Sequence, residues 1–486
     1  MVEAPWYKRI HIPHVFVLLT AVVFIGMLFT YVLPSGEYRR ETKKIEGRER
    51  TLVVPGTFQA IPKHYSLRGV LIGDPENAPE EYAEPVSIQG FLTAIPRGLE
   101  QSADIIFFIF MIGGTFGILQ RSGTIPAMIR MLLDRFGHSA KLLTIIIMLA
   151  IAVGGSTLGM GEEFIPLVPV FLIISQRLGY DRIYGLALVM LAADMGFASA
   201  TTNPFTINIA QGIAELPLNS GMGLRLVFFV CCLTLTIVYV LRYGAKIQRD
   251  PSLSLVADEA EHVPPDNLDD HTFGRRHFAT ITLCLLIFAG ILYGVQALDW
   301  WMADMAGGFF LMGLVAAAIS GLSLKDSSEA FVKGMEDMVV AALVVGFARG
   351  IQVVLIDGQI LDTLIHSAAT VLQTVPRYVS VEGMLAFQTS LNFLVPSGSG
   401  QAAVTMPLMA PLSDVLGITR QTAVLAFQFG DGLSNTIVPT SGVLMAMLAL
   451  ARIPYGKWLR FVLPLFLQVT ALAAVFLAIA VAIGYR

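Results

Sequence analysis

Long apolar segments broken by glycine, proline and hydroxyl residues constrain this chain of 486 residues more than any other feature. Hydrophobic residues make up 55% of it and charged ones 14%. Segments near 15–33, 104–120, 141–153, 163–176, 183–199, 224–243, 277–298, 305–322, 339–356, 380–394, 421–437 and 460–483 are apolar enough to lie in a bilayer. Several fall short of the roughly 20 residues that a crossing helix needs. The expected fold is therefore an all-α polytopic membrane protein with about eleven transmembrane helices and two re-entrant helical hairpins.

Two of the broken segments match. GGSTLGMGEEFIPLVP (154–169) and PSGSGQAAVTMPLMAP (396–411) each place a serine ten residues before a proline, Ser156 with Pro166 and Ser397 with Pro407. Other pairs keep a similar spacing. Ala94-x-x-Arg-Gly-Leu-Glu and Ala330-x-x-Lys-Gly-Met-Glu lie 236 residues apart, and Leu178-Gly179 and Leu416-Gly417 lie 238 apart. Ser199, Thr201 and Pro204 match Ser434, Thr436 and Pro439 at 235. One duplication with small insertions explains these offsets. It gives a first repeat at 92–243 and a second at 328–486, separated by a linker at 244–276 and connecting helices at 277–327. An N-terminal helix (1–33) and an extracytoplasmic loop (34–91) precede them.

Lys8 and Arg9 stand before the first apolar run, which lacks a signal-peptide cleavage site and is read as a retained helix. With Arg242, Lys246, Arg249, Arg275 and Arg276 around the linker, they place the N-terminus and the linker in the cytoplasm. An odd number of crossings in the first repeat then inverts the second, which puts a solute site near the midplane where the halves meet. Residues following Gly123 and Gly358 form short amphipathic segments, either interfacial arms or plain connectors.

Non-helical chain at membrane depth survives only inside protein or along a wet cavity. Residues 154–161, 194–204, 396–400 and 431–439 need that treatment. Their carbonyls and hydroxyls can replace the water shell of Na⁺, and helix N-termini favour a carboxylate. The expected substrate-binding residues are Ser156, Thr157, Glu162, Glu163, Asn203, Ser397, Gly398, Ser399, Gln401 and Thr440. For a cation they are Asp194, Ser199, Thr201, Asp431, Ser434, Asn435 and Thr436. Glu162 and Glu163 either bind a cation, proton or basic substrate, or cap a restarting helix. Asp194 and Asp431 carry the same pair of readings. Arg349 either meets a substrate carboxylate, pairs with an acidic neighbour or snorkels along its helix. Trp300 and Trp301 read as interface anchors. Cys231, Cys232 and Cys284 have no metal or disulfide spacing.

The strings NFLVPSGSGQAAVTMPLMAPLSD and FQFGDGLSNTIVPTSG, followed by ALARIPYGKW, resemble the YfcC-like branch of the anaerobic four-carbon-dicarboxylate carrier (DcuC) family, within the ion transporter superfamily. PSGEYRR and VPGTFQAIP extend the likeness into the external loop. The resemblance implies a homodimer of inverted-repeat protomers, each with a scaffold and a transport domain bearing two hairpins, moving like an elevator. Na⁺-coupled members of the superfamily carry Ser-Asn-Thr motifs at hairpin tips and helix breaks. Ser434-Asn435-Thr436 fits literally, whereas the other tips read Gly-Ser-Thr (155–157) and Ser-Gly-Ser (397–399). Substrates in the family range from dicarboxylates to basic amino acids exchanged for ornithine.

The function expected is secondary active transport of a small carboxylate-bearing solute, an organic acid or amino acid, across a bacterial-type cytoplasmic membrane. Coupling is by Na⁺ or H⁺ or by exchange. The runner-up is a basic amino-acid antiporter of the arginine/ornithine type, with a channel and an intramembrane protease as remote alternatives. No GxxxxGK[ST] pattern marks an ATP-driven pump. No basic patch with aromatics marks nucleic-acid binding, and the formal charge is −4. Besides Na⁺ as coupling ion, no cofactor is expected, and no enzymatic activity.

Overall fold

A computed structural model describes residues 15–45, 48–74, 79, 81–257, 273–298 and 300–486. Lys8 and Arg9, on which the expectation of a cytoplasmic N-terminus rests, lie outside these, as does part of the linker. Helix α1 (Val15–Val32) leads into two small antiparallel pairs, β1 (Ser35–Glu37) with β4 (Gln59–Ile61) and β2 (Arg40–Ile45) with β3 (Arg48–Val53), and then α2 (Leu67–Leu71). There follow α3 (Ile88–Gln101), α4 (Ala103–Arg121), α5 (Thr124–Phe136), α6 (Ala140–Leu158), a 3₁₀ turn at Glu162–Leu167, α7 (Val168–Arg177), α8 (Arg182–Ser199), α9 (Ile207–Ile213) and α10 (Met222–Arg249). Helices α11 (Arg275–Ala297) and α12 (Met302–Ser320) connect to the second series. That series is α13 (Leu324–Asp337), α14 (Val339–Asp357), α15 (Leu361–Leu372), α16 (Arg377–Asn392), α17 (Gly398–Val415), α18 (Arg420–Ser434), α19 (Gly442–Ala451) and α20 (Tyr455–Ile483).

The same succession recurs from α3 to α10 and from α13 to α20. A helix split near its middle is followed by a short helix, two hairpin arms, a helix ended by a break, a short helix and a long closing helix. Packing is reciprocal as well: α3 lies on α14, and α13 on α4. The glycine of the repeated heptapeptide explains part of this. A Cβ on Gly98 would fall 2.4 Å from Gly346 O, and one on Gly334 would fall 2.1 Å from Gly113 O. Both crossings are close because only hydrogen stands between the backbones.

The chain is all-α within the membrane-spanning region. Among the described residues nine helices are long and apolar enough to cross a membrane: α1, α4, α6, α8, α10, α11, α12, α14 and α20. The apolar segments near 163–176, 380–394 and 421–437 instead form helices of 10, 16 and 15 residues. Their neighbouring breaks account for the shortfall from eleven.

The two arms of each hairpin pack chiefly on the interrupted helix. Helices α6 and α7 flank α8, α16 and α17 flank α18, and α8 meets α18 at the centre. The apolar stretch of α8 is accordingly 94% buried, against 17% for α11, which faces outward. The β-strands form a clasp at one end. Asp362 of α15 accepts from Tyr38 N and from Arg40 Nη2, both at 2.9 Å, and Tyr38 Oη meets His366 Nδ1 at 2.9 Å. Burial first, and then the charge of Asp362, pushes the Tyr38 hydroxyl up to about 12, so it stays protonated across ordinary pH. Strand β3 also leans on hairpin arm α17.

Candidate functional site

Hairpin tips, helix breaks and α14 enclose a cavity of about 270 Å³. The turn after α6 contributes Glu162 and Glu163; α8 contributes Asp194; and the joint between α3 and α4 contributes Asp104. The same cavity is lined by Arg349 of α14, Ser397, Gly398 and Ser399 at the start of α17, and Asn435 and Thr440 from the second break. Phe205 and Trp301 close one side with ring centroids 5.0 Å apart. Four carboxylates thus face one guanidinium. Arg349 Nη1 donates to Gln352 Oε1 at 2.6 Å, and among the described residues it forms no ion pair. Gly161 N donates to Glu163 Oε2 at 3.0 Å, which ties that carboxylate back to its own turn.

The local sequence explains the tips. Gly159, at φ +68°, ends α6 in a left-handed turn, and a Cβ there would strike Asn203 Oδ1 at 2.3 Å. Asn203 therefore wedges the first hairpin and accepts from Phe205 N at 2.8 Å instead of facing the cavity. At the other tip Ser397 caps α17 through Gly400 N at 3.3 Å. The first turn of α17, with its exposed N–H groups, points at the cavity as an anion-favouring wall.

Each hairpin arm is tied to a break. Thr201 N donates to Ser156 O at 2.8 Å, the hydroxyls of Ser156 and Thr201 lie 3.1 Å apart, and Thr202 Oγ1 donates to Thr157 O at 2.9 Å. In the second half Asn392 Nδ2 donates to Asp431 O at 2.9 Å and to Ser434 Oγ and Asn435 Oδ1, both at 2.8 Å. Asp431 lies behind the cavity wall. Its Oδ2 is buried without a partner among the described residues, as are Asp194 Oδ2, Thr206 Oγ1, Asn392 Oδ1 and Thr440 Oγ1. Unpartnered oxygens in this density are costly. Of these residues Asp194, Thr206 and Thr440 line the cavity, and carboxylate and hydroxyl oxygens of this kind can take a proton or a hard cation.

All the expected residues but Gln401 separate into two groups. Glu162, Glu163, Asp194, Ser397, Gly398, Ser399, Asn435 and Thr440 share the cavity. Ser156, Thr157, Asn203, Ser199, Thr201, Asp431, Ser434 and Thr436 form the breaks and their anchors. Ser199, Ser434 and Thr436 spend their hydroxyls on Met195 O, Gly430 O and Leu433 O, at 2.7, 2.6 and 2.7 Å. Gln401 is buried within hairpin two, its Nε2 on Gln388 O and Oε1 at 2.9 and 2.7 Å. It braces the arms instead of lining the cavity.

Trp301 lines the cavity, while Trp300 packs back over Gly294. Asp104 and Asn392 were not expected from sequence. Nor was Arg225, although an arginine in an apolar run is a signal of the same kind as Arg349.

A larger cavity of about 1130 Å³ lies further along α14 and α19, between α4 and α13 on one side and α7 and α19 on the other. Charged pairs such as Arg121–Asp326 and Lys333–Asp337 edge it. Its acidic residues, Asp326, Glu329 and Asp337, share the walls with Arg121, Lys333 and Arg452, so it carries no acidic excess like that of the smaller one.

Known proteins resemble this chain over its length. The family described as C4-dicarboxylate anaerobic carrier (DcuC) matches residues 12–482. The "Putative basic amino acid antiporter YfcC" of Escherichia coli (strain K12) is 32% identical over 476 residues, with 93% of each chain covered. An uncharacterized protein of Haemophilus influenzae is 29% identical over 502 residues, with 94% of each chain covered. Among solved structures, the Alcanivorax borkumensis YdaH transporter aligns with a TM-score of 0.46 at 18% identity, covering 97% of this chain and 99% of that one. Neisseria gonorrhoeae MtrF aligns with a TM-score of 0.43 at 16% identity, covering 97% and 95%.

Proposed function

The chain belongs to the C4-dicarboxylate anaerobic carrier (DcuC) family, and from that premise we propose that it is a secondary active transporter whose substrate is a basic amino acid. The observation that carries the substrate class is the charge of the smaller cavity. Asp104, Glu162, Glu163 and Asp194 face it, against Arg349 alone. A solute with two cationic ends and one carboxylate offsets part of that excess: its carboxylate meets Arg349 and the N-terminus of α17, and its amino groups meet two of the carboxylates. At about 270 Å³ the cavity sits at the small end of ligand pockets, which suits a single amino acid. The relative named as a basic amino acid antiporter points the same way.

In this reading the two series of helices are inverted repeats with the cavity at their meeting place. The hairpins and interrupted helices form a transport domain that slides on α3, α4, α13 and α14, in a homodimer. The larger cavity is then the approach from the cytoplasm, and the β-strand clasp closes the opposite face. Ser434, Asn435, Thr436 and Asp431 hold the coupling Na⁺ or proton, or exchange of one amino acid for another replaces it.

A second reading, a dicarboxylate such as the family's description names, draws on Ser397–Ser399 and Arg349. It leaves the four carboxylates uncompensated. Thermal shift of the purified protein separates the two. Arginine, lysine or ornithine should raise the melting temperature and succinate or malate should not, and the opposite result defeats the basic amino-acid reading.

A further inference from the structure

Each half covers its helix break with one side chain from the first turns of its closing helix, and the two side chains differ in charge. In the first half this is Arg225 of α10, which is 0% exposed. Its Nε donates to Ala200 O at 2.8 Å and its Nη2 to Thr201 O at 3.0 Å. Its Nη1 reaches Ser220 O at 2.7 Å and Tyr485 Oη at 3.3 Å. Every one of these partners is neutral. In the second half it is Trp458 of α20, also 0% exposed, whose Nε1 donates to Thr436 O at 2.9 Å. Thr201 and Thr436 are equivalent in the repeat.

Burying a guanidinium without a carboxylate is costly, and Trp458 shows that a neutral donor serves the same carbonyl in the same fold. What the first half gains from arginine is charge. That charge sits at the C-terminal, negative end of α8, beside the paired hydroxyls of Ser156 and Thr201. Carbonyls of a broken helix with adjacent hydroxyls are ligands that a monovalent ion accepts in place of water. We propose that Arg225 is a tethered cation that permanently fills the first break, leaving the second break, where Trp458 carries no charge, as the single site for a mobile coupling ion.

The proposal rests on reading the breaks as ion sites. ²²Na⁺ binding and melting temperature, measured on the purified full chain in choline buffer, test it. Wild type should bind no more than one Na⁺ per chain. Arg225→Ala should melt lower in choline, gain one bound Na⁺, and recover melting temperature with Na⁺ or with millimolar guanidinium. Arg225→Lys should keep the wild-type ion count and ignore guanidinium. Two Na⁺ per wild-type chain would overturn the proposal. So would an Arg225→Ala protein indifferent to both ions, which is what a plain helix cap predicts. If Arg225→Ala does not fold, the wild-type count together with Arg225→Lys decides. Should Asn435→Ala leave wild-type Na⁺ binding untouched, the second-break assignment fails by itself, while the gain in Arg225→Ala still tests this one.

Discussion

Replacing Gly398 by alanine probes the contact between hairpin two and the breaks. A Cβ there would lie 2.5 Å from Thr206 Cγ2 and 2.9 Å from Asp431 Oδ2, closer than such atoms approach. Thr206 and Asp431 are each 1% exposed, so neither side chain can swing aside into solvent. Overpacking of this kind costs about 1–3 kcal/mol. Alanine returns up to about 1 kcal/mol of helix propensity, less in a first turn such as this one. The net penalty is about 1–2 kcal/mol, or roughly a 5- to 30-fold loss in the fraction of protein with the tip seated. Counterflow of labelled arginine in proteoliposomes should fall by that order, with folded yield and melting temperature showing that the chain still assembles. Gly161→Ala is the control. It adds the same methyl to the facing tip, where the nearest atom, Val443 Cγ2, lies at an ordinary 3.8 Å. Wild-type counterflow in Gly398→Ala, or equal loss in both variants, would refute the argument that the tip must close on Asp431.

Asn435→Ala and Asp431→Asn should each abolish uptake while leaving folded protein; normal rates in both remove the second break from the site. Glu162→Gln combined with Glu163→Gln should weaken arginine and ornithine binding by at least tenfold, about 1.4 kcal/mol, more than it weakens a neutral amino acid, as thermal shift with each ligand would read. Asn392→Ala strips three acceptors of their donor and should cost about 1–3 kcal/mol, seen as a lowered melting temperature; an unchanged one means the tie is not made. Asp362→Asn removes the charge-assisted bond from Arg40 and should speed hydrogen exchange at residues 38–40 without altering ligand affinity. Uniform protection there contradicts the clasp.

Much of the site can be found from sequence because membrane depth punishes irregular backbone. Gly159, Gly161, Pro396 and Gly398 announce tips in otherwise apolar runs, and Ser434-Asn435-Thr436 announces a break. Acidic residues are equally conspicuous there, so Glu162, Glu163 and Asp194 are readable before any coordinates exist. Asn392, Asp104 and Trp301 are not. Asn392 ends a helix like many other asparagines, and its three acceptors lie 39 to 43 residues away. Trp301 sits at the start of α12, where an interface tryptophan would, and its place on the cavity wall is a matter of how distant elements meet.

The sequence by itself determined the class of molecule and the places where helices break. Those follow from local terms: hydrophobic length against bilayer thickness, and the backbone freedom of glycine and proline. Tertiary structure decided which groups share one space. It set four carboxylates against Arg349, placed Asp431 behind Gly398 instead of in the cavity, drew Gln401 into a brace, and put a charged arginine on one break and a neutral tryptophan on the other. Such pairings depend on how distant helices cross, and here glycines such as Gly98 and Gly334 fix the crossings by contacts that span more than 200 residues of chain.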